Sequence, residues 1–308
     1  MKSAERVIVG SRGSKLAMIQ SRLVISDLAR AHPHLEFEFI PITTTGDRRR
    51  YTPIEQMGGG GVFVKELEDA LSERRIDLAV HSLKDMPTET AAGFRLAAVA
   101  ARGDPRDVLV SSLGKLAELP KGARVGTGSQ RRAAQLLEQR PDLEIRPLRG
   151  NVDTRLRLVS SGELDGVVLA AAALVRLGTE GRIAEYLPPT IFVPAAGQGA
   201  LAIEIRADDA HMGQLVAPVN HEPTWLGVTS ERAFLGALGG GCRVPVGALA
   251  TVEGTRVHLL GMVASLVRGE ILRAEVEGNA LAPEETGREL ARKMMGMGAA
   301  SLLEEGEP

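Results

Sequence analysis

Apolar positions change their period twice within the first forty-two residues. "RVIVG" (6–10) is a short β-branched run of strand type, and after the polar turn "SRGSK" the residues Leu16, Ile19, Leu23, Val24 and Leu28 fall near helical spacing. "LEFEFIPI" then alternates as a second strand. The same order of elements returns about 115 residues later in "ARVGTGSQRRAAQLLEQRPDLEIRPLRG". Both halves continue alike. "VKELEDALSERRIDLAVHSL" places Phe63, Leu67, Ala70 and Leu71 on one helix face before the strand "DLAVHS", and its counterpart "RLRLVSSGELDGVVLAAAAL" gives a helix and then "DGVVLAAA". Two β-α-β-α-β halves predict two parallel-sheet domains with right-handed crossovers.

A third texture begins near residue 218. "EPTWLGVTSERAFLGALGGG" predicts a helix stopped by glycines, followed by β-rich runs broken at Glu253-Gly254 and Arg268-Gly269 and by the helical pattern "PEETGRELARKMMGMGAASLLEE". "VPAAGQGALAIEIRADD" reads as a strand returning to one of the large domains. The expected division is therefore an α/β domain over 1–100 with a return segment 199–217, a second α/β domain over 101–198, and a small α+β domain over 218–308. The architecture expected is two similar periplasmic-binding-protein-like α/β domains around a cleft, plus the C-terminal α+β domain.

Composition narrows the chemistry. Of 37 basic residues only seven are lysine, so arginine, whose planar fork suits carboxylate and phosphate, carries most of the positive charge. A GC-rich genome or heat adaptation gives the same bias without a ligand. The net charge of −2 and the 3% of aromatic residues argue against a nucleic-acid surface. No apolar run approaches the roughly 20 residues of a membrane helix, and "MKSAERVIVG" does not read as a secretory signal. The expected setting is the cytoplasm. Six scattered histidines give no cluster at zinc spacing, so no metal is expected.

Loops at the carboxyl ends of parallel strands, with free N–H groups at the following helix, are where anions bind in such folds. Those loops carry Arg12, Ser14, Lys84 and Asp85 in the first half and Ser129, Arg131, Arg132, Arg149, Arg155 and Arg176 in the second. Facing one another across a cleft they would form a strongly positive site around one carboxylate. The single cysteine, Cys242, sits in "GGGCRVPVG", between a helix and a strand. On these residues alone it is compatible with an inert buried thiol, a redox sensor or a nucleophile.

"VHSLKDMP", "DPRDVLVS", "GTGSQRRAAQL", "LRGNVDTRL", "PAAGQGALAIE" and "GGGCRVPVGA", in this order from about residue 6 to the C-terminal helix, resemble the porphobilinogen deaminase (hydroxymethylbilane synthase) family. The resemblance implies a monomeric transferase of tetrapyrrole and heme biosynthesis. Such an enzyme condenses four porphobilinogen molecules head to tail, releases ammonia at each addition, and frees hydroxymethylbilane by hydrolysis. It implies a dipyrromethane cofactor held by Cys242 through a thioether and contacted by Lys84, Ser129, Arg131 and Arg132. It further implies Arg12, Ser14, Arg149, Arg155, Arg176 and Phe63 as substrate-binding residues, and Asp85 as the acid–base catalyst. Each pyrrole brings an acetate and a propionate, which bidentate arginines match in charge and orientation.

The sequence departs from the family pattern in two places. Gly60, within a glycine run 58–61 that reads as a mobile lid, stands where the family often has lysine; Lys65 or Arg50 is the candidate replacement. Gly128 stands where serine is common. Two rival classes are a solute-binding module and a phosphate- or nucleic-acid-binding regulator, and a covalently held pyrrole would separate the enzyme from both.

Overall fold

The computed structural model describes residues 6–44, 64–239 and 245–304. The chain divides into two compact units, 1–103 with 200–225 and 104–199 with 226–308.

In the first unit, β1 (Arg6–Arg12) is followed by α1 (Lys15–Ala31), β2 (Glu36–Ile42), α2 (Lys65–Ser72), β3 (Leu78–Ser82) and β4 (Phe94–Val99). The second unit repeats the plan with β5 (Asp107–Val110), β6 (Arg124–Gly126), α3 (Gln130–Gln139), β7 (Glu144–Arg146), α4 (Val152–Ser160), β8 (Gly166–Ala170), α5 (Ala171–Arg176) and β9 (Glu185–Tyr186). The chain then returns to the first unit as β10 (Leu201–Arg206) and α6 (Ala210–Val216). The sheet orders are β2-β1-β3-β10-β4 and β7-β6-β8-β5-β9. Each sheet is mixed rather than wholly parallel, because β10 and β5 run antiparallel to both of their neighbours. These are the two strands on which the chain arrives from the other unit, and a strand not linked by a helical crossover is free to insert in the opposite sense.

The internal repeat extends to single hydrogen bonds. Just before the third strand of each sheet an aspartate brackets the first strand. The Ile8 N–H donates to Asp77 Oδ2 at 2.8 Å while the Asp77 N–H donates to the Ile8 carbonyl at 2.8 Å. The Arg124 N–H likewise donates to Asp165 Oδ2 at 2.7 Å, and the Asp165 N–H to the Arg124 carbonyl at 2.9 Å. These pairs fix the register that carries the following loops to one edge of each sheet.

Burial follows the expected pattern with one rotation. Leu67, Ala70 and Leu71 of α2 are fully buried, while Phe63 lies outside the described residues. On α1 the buried face is Gln20, Ser21, Val24 and Leu28, whereas Leu23 is 46% exposed. A buried polar contact explains the shift: Gln20 Oε1 accepts the Ser82 hydroxyl at 3.1 Å, tying α1 to the end of β3.

The C-terminal region opens with α7 (Glu222–Ala237) and forms an antiparallel meander of β11 (Val246–Glu253), β12 (Arg256–Ser265) and β13 (Glu270–Asn279), its turns falling at the predicted glycines. The predicted final helix is two, α8 (Pro283–Gly296) and α9 (Ala299–Glu304), because Gly298 takes φ +97 and interrupts the run. Glu231 of α7, fully buried, holds this region to the rest of its unit. Its Oε2 accepts the Gly197 N–H at 2.6 Å and its Oε1 the Ala250 N–H at 2.8 Å.

Candidate functional site

In the first unit Arg12 ends β1 and the loop after it delivers Ser14. The Ser14 hydroxyl accepts the Ala17 N–H at 3.3 Å, so it caps α1. At the end of β3 the chain makes a single turn, Leu83–Asp85. The turn is pinned by buried Leu83 and Met86, and its Leu83 N–H donates to the Ala200 carbonyl at 3.1 Å. Lys84 and Asp85 are thus half-buried on a turn whose backbone is fixed on both sides. On the α2 side of the same sheet, buried His81 and Glu204 are paired Nε2 to Oε2 at 2.9 Å, and Glu204 Oε1 has no partner. Burial and the nearby Glu204 carboxylate push the Glu68 carboxyl above its ordinary range.

In the second unit Ser129 caps α3, accepting the Arg132 N–H at 3.4 Å. The two arginines that follow are buried and turned inward. Arg131 Nη1 donates to Asp107 Oδ2 at 2.8 Å and to the Val193 carbonyl at 2.5 Å. Arg132 donates to Asp107 Oδ1 from Nε at 3.1 Å and from Nη2 at 2.7 Å, to the Val168 carbonyl at 3.1 Å, and to Gln198 Oε1 at 3.3 Å. Asp107 is fully buried. Burial acts to raise its pKa, but the two guanidinium charges and their hydrogen bonds win and hold it far below the ordinary carboxylate range. Burial pushes the Arg131 guanidinium down from its usual value, against the pull of Asp107.

Gly128 has a steric reason. A Cβ there would stand 2.4 Å from the Leu148 carbonyl oxygen, so this backbone admits no side chain at 128 unless the 148 loop withdraws. That close approach brings Arg149 beside the start of α3. Arg149 is half-buried and makes no hydrogen bond or ion pair with described residues. Arg155, in the first turn of α4, donates from Nε to the Gly150 carbonyl at 3.0 Å. Arg176 at the end of α5 is half-buried, its Nη2 donates to the Gly199 carbonyl at 2.6 Å, and no carboxylate among the described residues pairs with it. Burial alone pulls its guanidinium below the usual arginine range. Among the described residues Arg149 and Arg176 are therefore cations without counter-ions in partly desolvated positions, as a ligand bearing several carboxylates requires.

Cys242, Phe63, Gly60, Arg50 and the glycine run 58–61 lie outside the described residues. Lys65 is exposed at the first position of α2. Among the described residues no group of three His, Cys, Asp or Glu side chains could hold a metal ion, and no helix is long and apolar enough to cross a membrane. Sequence reasoning missed Asp107, Gln198, Glu231 and the His81–Glu204 pair. Asp107 and Gln198 lie inside motifs quoted above, but their partners are 24 to 93 residues away along the chain, and no local pattern encodes such pairings.

A family model for the porphobilinogen deaminase dipyromethane cofactor binding domain matches residues 7–214, and one for the porphobilinogen deaminase C-terminal domain matches residues 225–296. Relatives named porphobilinogen deaminase include the Moorella thermoacetica protein, 51% identical over 96% of this chain and 95% of its own. The Thermus thermophilus protein is 48% identical over 96% and 98%, and the Carboxydothermus hydrogenoformans protein 44% identical over 98% and 97%. The solved structure of a probable amino-acid ABC transporter extracellular-binding protein from Bacillus subtilis overlaps 70% of this chain and 89% of its own, at 14% identity and a TM-score of 0.43. That likeness is too distant to bear on function. The family matches define the class as a transferase whose larger part is a dipyromethane-cofactor-binding domain. The chain belongs to the porphobilinogen deaminase family.

Proposed function

We propose that this chain joins four porphobilinogen molecules head to tail on a dipyrromethane primer bound through a thioether to Cys242, and then releases the linear product by hydrolysis. The observation that carries the assignment of the site is Arg176, a half-buried guanidinium that among the described residues is bound only to a backbone carbonyl and is shifted by burial with no carboxylate to compensate. The residues fit the cofactor: its acetate and propionate groups supply the anions that Arg176 and Arg149 lack. When bound, it provides the terminal pyrrole carbon to which each incoming unit is joined.

The chain's own groups do the rest. Arg12, Ser14, Arg149, Arg155 and Arg176 hold substrate carboxylates, and Phe63 packs against a pyrrole ring. Lys84, Ser129, Arg131 and Arg132 hold the primer. Asp85 gives a proton to the substrate amine as its C–N bond breaks and ammonia leaves, and as a carboxylate it stabilises the resulting cation. It recovers a proton when the newly joined ring carbon loses its hydrogen, so one group serves every addition without net gain or loss. The turn of Leu83–Asp85, fixed by Leu83, Met86 and the Ala200 carbonyl, supplies the positional constancy that repeated use requires. The enzyme acts as a cytoplasmic monomer.

Incubating the purified protein with porphobilinogen tests the reading. Four ammonias released per tetrapyrrole formed is the expected result. Binding of porphobilinogen without ammonia release would favour a solute-binding protein instead.

A further inference from the structure

Gln198 is a fully buried glutamine in the Val193–Gly199 segment, and it joins three separate stretches of the second unit. Its Nε2 donates to the Pro105 carbonyl at 2.7 Å and to Asp107 Oδ1 at 2.8 Å, while its Oε1 accepts Arg132 Nη2 at 3.3 Å. An amide is the one uncharged side chain that can donate to two acceptors and accept from a cation at once. A glutamate there would face Asp107 and a carbonyl with no proton to offer, and an apolar residue would leave all three groups wanting.

The network around it is unbalanced in charge. One carboxylate, Asp107, serves two guanidiniums, so a net positive charge stays inside the protein. The two arginines also differ. Arg132 commits its Nε and Nη2 to Asp107. Arg131 uses only Nη1, and its Nε–Nη2 edge, the fork that grips a carboxylate, makes no bond with described residues. The direction of that fork depends on where Asp107 Oδ2 lies, and the opposite oxygen of the same carboxylate is held by Gln198.

We propose that Gln198 is a positioning residue for carboxylate binding: through Asp107 it sets the plane of Arg132 and aims the open Nε–Nη2 edge of Arg131 at an acetate or propionate of the pyrrole ligand. This rests on the reading of Arg131 and Arg132 as residues that hold the ligand. Gln198 touches no reacting atom, so its loss weakens capture of the ligand and leaves the Asp85-dependent step intact.

The experiment compares Gln198→Met, which keeps the shape and removes the hydrogen bonds to Pro105, Asp107 and Arg132, with Thr286→Val, a buried polar deletion whose contacts lie within the C-terminal region. Thermal midpoints and porphobilinogen kinetics are measured well below the midpoints of the parent and both variants. Gln198→Met is expected to raise KM about tenfold, the loss of one well-aimed charge-assisted contact, with kcat within about twofold of the parent. Thr286→Val lowers the midpoint with KM unchanged. If Gln198→Met does not fold, Gln198→Glu, which can still accept from Arg132, is expected to raise KM in the same way. A parent-like KM in the folded Gln198 variant overturns the proposal alone. A parent that neither carries a pyrrole adduct nor turns over porphobilinogen overturns the reading of the arginines, and the proposal with it.

Discussion

The two sheet domains share a scaffold and differ in what they place at its functional edge. Both use an aspartate, Asp77 or Asp165, to bracket the first strand, and both cap their first helix with a serine, Ser14 or Ser129. Both also tie the turn after the third strand to the antiparallel strand segment, through the Leu83 N–H on the Ala200 carbonyl and the Ala171 N–H on the Arg106 carbonyl. Beyond those bonds they part. β3 runs into Leu83-Lys84-Asp85, whereas β8 runs into Ala171-Ala172-Ala173 and keeps only Arg176 at the far end of the helix. The buried acids differ likewise: Glu204 is met by one histidine, and Asp107 by two arginines. In the proposed function the duplicated frame divides its labour, one half carrying the candidate acid and the other most of the candidate cations.

The sharpest break in that comparison is Asp85→Asn. It keeps size and turn geometry but removes the carboxyl group proposed as the acid–base catalyst, and kcat is expected to fall about 10²- to 10⁴-fold, the range for loss of a general acid–base group, with an unchanged thermal midpoint. Steady-state kinetics beside calorimetry check both.

Asp107→Asn is next, because it leaves two buried guanidiniums without their anion. A loss of about 3–5 kcal/mol is expected, measured by denaturant unfolding. Glu204→Gln should cost less, since one histidine rather than two guanidiniums loses its partner. The sign of the pH effect follows from the depressed pKa of Asp107. Its contribution is fully present above the unfolded aspartate value of about 3.9 and is lost as pH falls below that value toward the folded pKa. The difference between parent and Asp107→Asn should therefore be constant near neutrality and shrink in acid; a difference that grows in acid would contradict the assignment.

Arg176→Gln removes a cation that has no carboxylate partner among the described residues. Its expected signature is a KM raised about tenfold with little stability lost, since the protein gives it no carboxylate. The smallest test concerns an equivalent turn after the second helix of each half. Gly162 takes φ +74 and Arg74 takes φ +56. Gly162→Ala should cost about 1 kcal/mol, and Arg74→Ala should be nearly neutral because its strain is already present in the parent.

Much of this frame is legible in the sequence. Periodicity located the repeated strands and helices, and the glycines at 254 and 269 marked both hairpin turns. The antiparallel sense of β5 and β10 was not legible, since a strand that enters from the other unit shows the same apolar run in either direction. Candidate site residues could be nominated at loop ends because loop position is a local property. The inward pairing of Arg131 and Arg132 was not, because Asp107 and Gln198 reach them only through the folded sheet, and Gln20 rotated α1 for the same reason.

The central claim is a covalently primed transferase, and the intact mass of the denatured protein tests it most directly, compared with a Cys242→Ser variant after both have met porphobilinogen. The account predicts an adduct of two porphobilinogen units less two ammonias on the parent and none on Cys242→Ser. An unmodified parent, or an equal adduct on both proteins, would contradict it.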